Sequence, residues 1–399
     1  MSKFMNPALS GLEVYTPGEQ PQDRKYIKLN TNESPYPPSP EVLAAVNARE
    51  AADLRLYSDP ESRGLKQALA ARYGVEPENV FLSNGSDDIL NFAFLAFAAG
   101  ESGTGSTGSI GSTGSSVINN SNDIAAAGRK AWFPDITYGF YPVFTDLHRI
   151  EAVQIPLKED FSIDPADYCV LGAGGGLISI ANPNAPTGLT LTLRQIEDIL
   201  RANPDKVVLI DEAYVDFGAQ SALPLIRQYE NLLIVQTFSK SRSMAGARLG
   251  FALAQASLIQ DLETIKFSTN PYNINRLTSA AGIAALASDT YFEENCEKIM
   301  KTRHWTKAAL EDLGFTVLPS AANFLFARAD SLSGMEVYQQ LKARGILIRH
   351  FEKTRIRDFN RITIGTQGEM EAMIAALREI LQASRPLQSA GNPSEEVHP

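Results

Sequence analysis

LISIANPNAPTG (Leu177 to Gly188), VVLIDEAY (Val207 to Tyr214) and LLIVQTFSK (Leu232 to Lys240) share one design. Each opens with a short run of Val, Ile and Leu and ends in residues that carry chemistry. Continuous apolar runs of this length read as strands buried on both faces, because both side-chain directions of the pleat must then meet apolar neighbours. Similar runs stand at Val80 to Leu82, Ala131 to Phe133 and Ala152 to Ile155, with helical stretches such as Leu193 to Leu200 between them. Strands alternating with helices predict an α/β fold, a mostly parallel sheet flanked by helices.

Outward from this centre the pattern changes. The chain begins with a proline-rich arm through Pro35, Pro37, Pro38 and Pro40, extended because proline supports neither helix interior nor central strand. Beyond about residue 275 a long helical region, Asn275 to Leu313, precedes Asn323 to Phe326, Ile346 to Ile348 and Ile362 to Ile364. The expected organisation is an arm with part of a smaller domain (1–55), a large cofactor-binding domain (56–275), a smaller C-terminal α/β domain (276–383) and a disordered tail (384–399). Residues 100–122, almost entirely Gly, Ser, Thr and Asn, read as a flexible surface insertion. Within it Gly103 to Gly108 matches the dinucleotide-binding fingerprint letter for letter. That fingerprint works only between a strand and a helix, and here a helix precedes it and more Ser, Thr and Gly follow. A dinucleotide-dependent oxidoreductase is disfavoured on that ground.

The net charge of −10 argues against nucleic-acid or anionic-membrane partners, which need surplus Lys and Arg. Cys169 and Cys296 are too few for a disulfide framework and lie in no CxxC pair. The histidines are scattered through the sequence without HExxH spacing, so no metal is expected. The first ten residues lack the apolar segment of a signal peptide, and the longest apolar stretch, Ile89 to Ala99, is about half of a membrane span. A cytoplasmic enzyme of small molecules is the expectation.

Parallel sheets bind ligands beyond the carboxyl ends of their strands. With these strands as neighbours, an amide, the Asp211 carboxylate, the Tyr214 phenol and the Lys240 amine converge at one edge. An aldehyde cofactor with a pyridine ring and a phosphate requires that set. The amine bonds the aldehyde carbon, the carboxylate keeps the ring nitrogen protonated, and the phenol meets the 3′-oxygen. The phosphate finds donors at Asn84-Gly85-Ser86, which opens a buried helix with free N–H groups, and at Ser239 and Arg248. Asp87 and Asp88 suit the helix dipole, and their charges are expected to point away from a phosphate. Taken singly, each of these residues reads as a turn, a solvated group or core. Their order at successive strand ends carries the reading.

Those residues sit in LNTNESPYPPSP (29–40), RLYSDPESRGLKQALA (55–70), SNGSDDIL (83–90), PDITYGFY (134–141), NPNAPTG (182–188), DEAYVDF (211–217), TFSKSRSMAGARLGF (237–251), NFLFA (323–327), ILIRHF (346–351) and RITIGT (361–366). As a set they resemble the histidinol-phosphate aminotransferases, fold-type I enzymes that use pyridoxal 5′-phosphate, over residues 9–382 outside the insertion. The resemblance implies that Lys240 carries the cofactor and moves the proton between Cα and C4′. Asp211 pairs with the ring nitrogen and Tyr214 with the 3′-oxygen. Gly85, Ser86, Ser239 and Arg248 hold the phosphate, Asp87 is a further cofactor-binding residue, and Tyr138 stacks on the ring. Tyr57 reaches the phosphate in a neighbouring subunit, which implies a homodimer with shared active sites. Arg361 binds the acidic end of the substrates, helped by Arg349 and Tyr15, with Asn32 and Asn323 supporting that region. The implied reaction is L-histidinol phosphate with 2-oxoglutarate, giving imidazole acetol phosphate and L-glutamate. An aromatic or broad-specificity aminotransferase shares the whole constellation. A pyridoxal-phosphate-binding regulator is disfavoured, since no basic segment precedes the arm. One position departs from the family pattern: Ala185 stands where an Asn usually precedes Pro-Thr-Gly, and Asn184 is expected to take over or Tyr214 to act alone.

Overall fold

The computed structural model describes residues 4–6, 9, 11–98 and 130–383. The 100–122 insertion and the 384–399 tail lie outside the described residues. From the arm the chain runs through β1 (Ile27–Lys28), α1 (Pro40–Ala45), α2 (Ala48–Ala52) and α3 (Arg63–Tyr73) into β2 (Val80–Ser83) and α4 (Ser86–Phe97). Then follow β3 (Lys130–Pro134), α5 (Phe140–His148), β4 (Glu151–Ile155), α6 (Pro165–Tyr168), β5 (Leu177–Ala181), α7 (Leu193–Ala202), β6 (Val207–Asp211), β7 (Leu232–Thr237), β8 (Gly250–Ala254) and α8 (Ala256–Thr269). The last third holds α9 (Arg276–Leu286), α10 (Asp289–Asp312), β9 (Phe315–Val317), β10 (Phe324–Ala329), α11 (Gly334–Ala343), β11 (Ile346–Leu347), β12 (Arg349–His350), β13 (Phe359–Thr363) and α12 (Gln367–Ala383).

The large sheet has the order β2-β8-β7-β6-β5-β3-β4. Every neighbouring pair is parallel except those made by β8, which runs antiparallel to β2 and to β7. Alternate residues feed two cores, as the period of the pleat requires. Leu177, Leu209, Leu233 and Val235 pack with Phe94, Tyr141 and Leu262 on one face. Ile178, Ile180, Val208, Ile210 and Ile234 pack with Leu65, Leu69, Ile196 and Ile199 on the other. Because both faces are covered there, the central strands read as unbroken apolar runs; β4, expected to be buried like them, stands at the sheet edge with Glu151, Ala152 and Gln154 exposed.

β8 is absent from the strand expectations above. It starts directly after the Lys240 loop with no helix before it, so the alternation that marks the other strands is missing there. Its insertion brings the ends of β2 and β7 to either side of one strand start, with Gly250 paired to both Ser83 and Thr237. A Cβ on Gly250 would lie 2.5 Å from the Ser86 nitrogen, so only glycine lets these segments approach so closely.

The second sheet is antiparallel, ordered β12-β13-β10-β9, with α10 and α12 sharing its core through Ile299, Leu310, Met370, Met373 and Leu377. The arm joins it: β1 pairs in parallel with β11, and the Thr363 N–H donates to the Leu29 carbonyl at 3.0 Å. The helical region expected as one piece from Asn275 is two helices. α9 packs Ala281 and Ala285 against the large sheet's core, whereas α10 belongs with the second sheet. The join between the two sheets is apolar as well: Phe161 meets Phe326 and Phe359 edge-on.

Candidate active site

The carboxyl ends of β5, β6 and β7, the start of α4 and the loop before β8 enclose a cavity of about 310 Å³, within the range of small-ligand sites. Thr31, Ser86, Asp87, Tyr138, Ala185, Asp211, Tyr214, Ser239, Lys240 and Arg248 all line it. It continues into a wider cleft bordered by Tyr15, Asn32, Arg349 and Arg361.

Lys240 stands where β7 has ended, its ammonium donating to the Thr31 carbonyl at 3.3 Å. Burial lowers its proton affinity to about 8, and the Arg361 and Arg248 guanidiniums push the same way against Asp87 and Glu33. At mildly alkaline pH a substantial fraction is therefore the free amine, the form that attacks a carbonyl. Asp211 closes β6 and is buried. Its oxygens accept from the Tyr141 hydroxyl at 3.0 Å and from the Ala213 N–H at 3.1 Å. Burial raises its pKa to about 6, partly offset by the Tyr141 hydrogen bond. A buried carboxylate in that condition is stabilised by any cationic N–H that arrives. The next residue, Glu212, faces away from the cavity and braces the turn through the Ala222 N–H, Ser221 Oγ and Gln236 Nε2.

The opposite end is a cationic cradle. Gly85 caps α4 with φ of 86°, a conformation open to glycine, and a Cβ there would meet Arg248 Nη2 at 2.6 Å. The guanidinium thus approaches the glycine tip-first, through Nη2, next to the start of α4. Ser239 Oγ accepts from Thr237 Oγ1 at 3.0 Å, which leaves its own proton to donate. Helix N–H groups, a hydroxyl and a guanidinium together make a site for a multiply charged oxyanion. In the cleft, Arg361 donates Nη2 to the Asn30 carbonyl at 3.0 Å, while its buried Nε has no partner. Arg349 is its cross-strand neighbour and donates to the Thr16 and Pro17 carbonyls. Tyr15 stacks on Phe140 with ring centroids 4.1 Å apart and closes over Gly139.

The family model for aminotransferase class I and II matches residues 24–377. The chain belongs to that family. Among its relatives, histidinol-phosphate aminotransferase from Brachyspira hyodysenteriae is 46% identical over 383 residues, spanning 96% of this chain and 100% of that protein. The enzyme of the same name from a Marinomonas species is 48% identical over 382 residues, with 95% and 100% covered. Among solved structures, histidinol-phosphate aminotransferase from Sinorhizobium meliloti in complex with pyridoxal-5′-phosphate superposes with a TM-score of 0.79 at 25% identity, covering 96% of this chain and 98% of that one. These matches identify the α/β architecture as that of fold-type I aminotransferases.

Within this aminotransferase, several expected site residues are placed in ways the sequence did not foretell. Asn184 does not fill the gap left at Ala185. Its Oδ1 accepts from Thr137 Oγ1 at 2.8 Å, and its Nδ2 donates to the Ile136 carbonyl and to Thr187 Oγ1, so its amide is spent on holding the loop. The Asp87 carboxylate turns into the site rather than away from it. It accepts from the Tyr138 hydroxyl at 2.7 Å and from Arg248 Nη2 at 3.0 Å, because those two donors outweigh the outward pull of solvent. Tyr138 lines the cavity, with Tyr141 edge-on against it at 5.8 Å. Tyr57 is 79% exposed and stacks on Tyr272, away from this chain's own cavity. Asn323 lies behind the cleft, donating to the Asn32 carbonyl at 3.0 Å. Absent from the expectations were Thr31, Tyr141 and Thr237. All sit inside quoted motifs, but nothing in their local spacing distinguishes them from core or turn residues.

Proposed function

We propose that this chain is a pyridoxal-phosphate-dependent transaminase that moves the amino group of L-histidinol phosphate to 2-oxoglutarate, giving imidazole acetol phosphate and L-glutamate. The observation that carries the reading is the cavity that holds the half-buried amine of Lys240 together with Asp211 and with the Gly85–Arg248 cradle. Three features of the protein suit the cofactor. A planar ring fits beside Tyr138, a ring N–H meets Asp211, and a phosphate meets Ser86, Ser239 and Arg248. Pyridoxal phosphate supplies an aldehyde and an electron-accepting ring.

The chain's own groups do the rest. Lys240 would hold the cofactor's aldehyde carbon through its amine and, once freed by the substrate amine, would be the base placed to take and return the substrate proton. Asp211 keeps a proton on the ring nitrogen, and Tyr141 keeps Asp211 aimed. Tyr214 offers its hydroxyl to the ring oxygen. Arg361, with Arg349 beside it, receives the anionic end of either substrate: phosphate from the donor, carboxylate from the acceptor. A guanidinium suits both because its planar fork matches either oxyanion.

The second subunit belongs to the same proposal. Leu54, Leu56, Tyr57, Phe267 and Tyr272 are exposed apolar side chains of α8, the turn after it and the chain that follows α2. Covering them in a homodimer would bring Tyr57 toward a neighbouring site. No helix of the described residues is long and apolar enough to cross a membrane, in keeping with a cytoplasmic enzyme of small metabolites.

The deciding assay compares turnover of histidinol phosphate and of phenylalanine with 2-oxoglutarate on purified protein loaded with pyridoxal phosphate. The expected result is turnover at least about tenfold faster on histidinol phosphate, since a phosphate offers the Arg361–Arg349 pair more charge and more acceptor oxygens than phenylalanine's single carboxylate, a difference on the order of 1.4 kcal/mol or more. Faster turnover of phenylalanine would replace this reading with the aromatic one.

A further inference from the structure

Three consecutive residues of the N-terminal arm each touch a different group of the site. The Asn30 carbonyl accepts from Arg361, the Thr31 carbonyl accepts from Lys240, and Asn32 Nδ2 donates to the Tyr214 hydroxyl at 2.9 Å. Asn32 is buried and has φ of 55°, a left-handed conformation that a non-glycine residue keeps only when its surroundings hold it. They do so from two sides. The Asn32 N–H donates to Thr363 Oγ1 at 3.0 Å, and the Asn323 amide donates to the Asn32 carbonyl at 3.0 Å.

The direction of the side-chain amide follows from this network. Thr363 Oγ1 already accepts from the Asn32 N–H, so its proton goes to Asn32 Oδ1, also at 3.0 Å. The end that faces Tyr214 is then the NH₂ group. A phenol oxygen that accepts from Nδ2 keeps its own proton for the cavity that Tyr214 lines. No other amide competes for the task, because Ala185 carries none and Asn184 is held by Thr137, Ile136 and Thr187.

We propose that Asn32 is a positioning residue: it aims the Tyr214 proton at the cofactor's ring oxygen and so sets how tightly that oxygen holds the neighbouring proton on Lys240. This rests on the function proposed above. A donor at the ring oxygen draws negative charge off it and weakens its grip on the shared proton. Removing Asn32 lets Tyr214 turn, the oxygen becomes more basic, and the proton is held to higher pH.

The test is a double-mutant cycle of Asn32→Ala and Tyr214→Phe, read as the pH midpoint of the visible absorbance of the pyridoxal-phosphate-loaded protein. The melting temperature of each apoprotein is measured alongside. In the wild-type background Asn32→Ala is expected to raise the midpoint by about half to one pH unit, the size of one hydrogen bond. In the Tyr214→Phe background it is expected to raise it no further. Asn32→Asp serves if the alanine variant folds poorly. It tolerates positive φ and keeps the acceptor for Thr363, but its charge raises the midpoint in both backgrounds, so the Tyr214-dependent part is read as the difference between the two shifts. Equal shifts in both backgrounds, or no shift in the wild-type background, would overturn the proposal while leaving the function standing. A loaded wild type without a visible band would overturn both.

Discussion

Replacing Gly85 by alanine probes the phosphate end of the site through one atom. A Cβ at this position lies 2.6 Å from Arg248 Nη2 and 3.1 Å from its Cζ, and the backbone has φ of 86°. The obstacle is the tip of a flexible side chain, so the guanidinium swings out and the backbone stays. Two separable costs follow. With ψ of 169° this backbone lies in a region essentially confined to glycine, and holding an L-residue there costs about 1–3 kcal/mol of stability. The displaced guanidinium leaves Asp87, its 3.0 Å partner, and vacates the position facing the oxyanion. Losing the Asp87 contact matters little for stability, since the pair is partly exposed. Losing a charge-assisted hydrogen bond to phosphate matters more, about 1.5–3 kcal/mol, or roughly 10- to 100-fold in cofactor affinity. Titration of apoprotein with pyridoxal phosphate, followed by visible absorbance, measures the second cost, and thermal melting of the apoprotein measures the first. Gly368→Ala is the control, because its Cβ meets nothing within 4 Å and it lies in a helix. Cofactor affinity within twofold of wild type in Gly85→Ala would refute the reasoning.

Two further outcomes follow from the buried charges. Asp211 has its pKa raised from 3.8 to about 6, so the carboxylate's burial opposes folding above about pH 6 and is relieved as protonation sets in between about 6 and 4. The apoprotein of Asp211→Asn is therefore expected to exceed wild type by on the order of 3 kcal/mol at pH 8 and to lose that advantage by about pH 4; denaturant melts across this range check it, and a gap independent of pH would count against it. For Lys240, lowered to about 8, the rate at which apoprotein captures pyridoxal phosphate should rise with pH and level off above that value. Arg361→Met removes one cause of the lowering and moves the midpoint upward, while Lys240→Ala gives no covalent capture at any pH; a midpoint unmoved by the arginine change would sink the electrostatic account.

Much of this was legible before any coordinates. Asp211, Tyr214, Ser239 and Lys240 stand directly at or after the ends of runs that can only be buried strands, and the loop after a strand end in a parallel sheet opens on the ligand side. Gly85 and Ser86 were legible for a similar reason, as the start of a helix too apolar to be anywhere but inside. Asn184 shows where such reading stops. Its type and place suited a cofactor contact, yet the side chain is taken up by Thr137 and Ile136, which come from a distant segment. Asp87 shows the converse, since its inward turn depends on Tyr138 and Arg248, neither near it in sequence.

By itself, then, the sequence determined six of the large sheet's seven strands, the buried character of the central ones and the family to which the chain belongs, because these rest on local pattern and on motifs carried within single segments. The three-dimensional arrangement decided what depends on distant segments meeting. It set β8 between β2 and β7, which brings the Gly85 turn against the Arg248 loop. It gave α9 to one core and α10 to the other. It also laid Asn30, Thr31 and Asn32 across the site, where each meets a partner about two hundred residues or more away. Hydrogen bonds at such separations have no counterpart in local periodicity: they form only after both sheets have closed on the arm, and the chain carries no local signal for them.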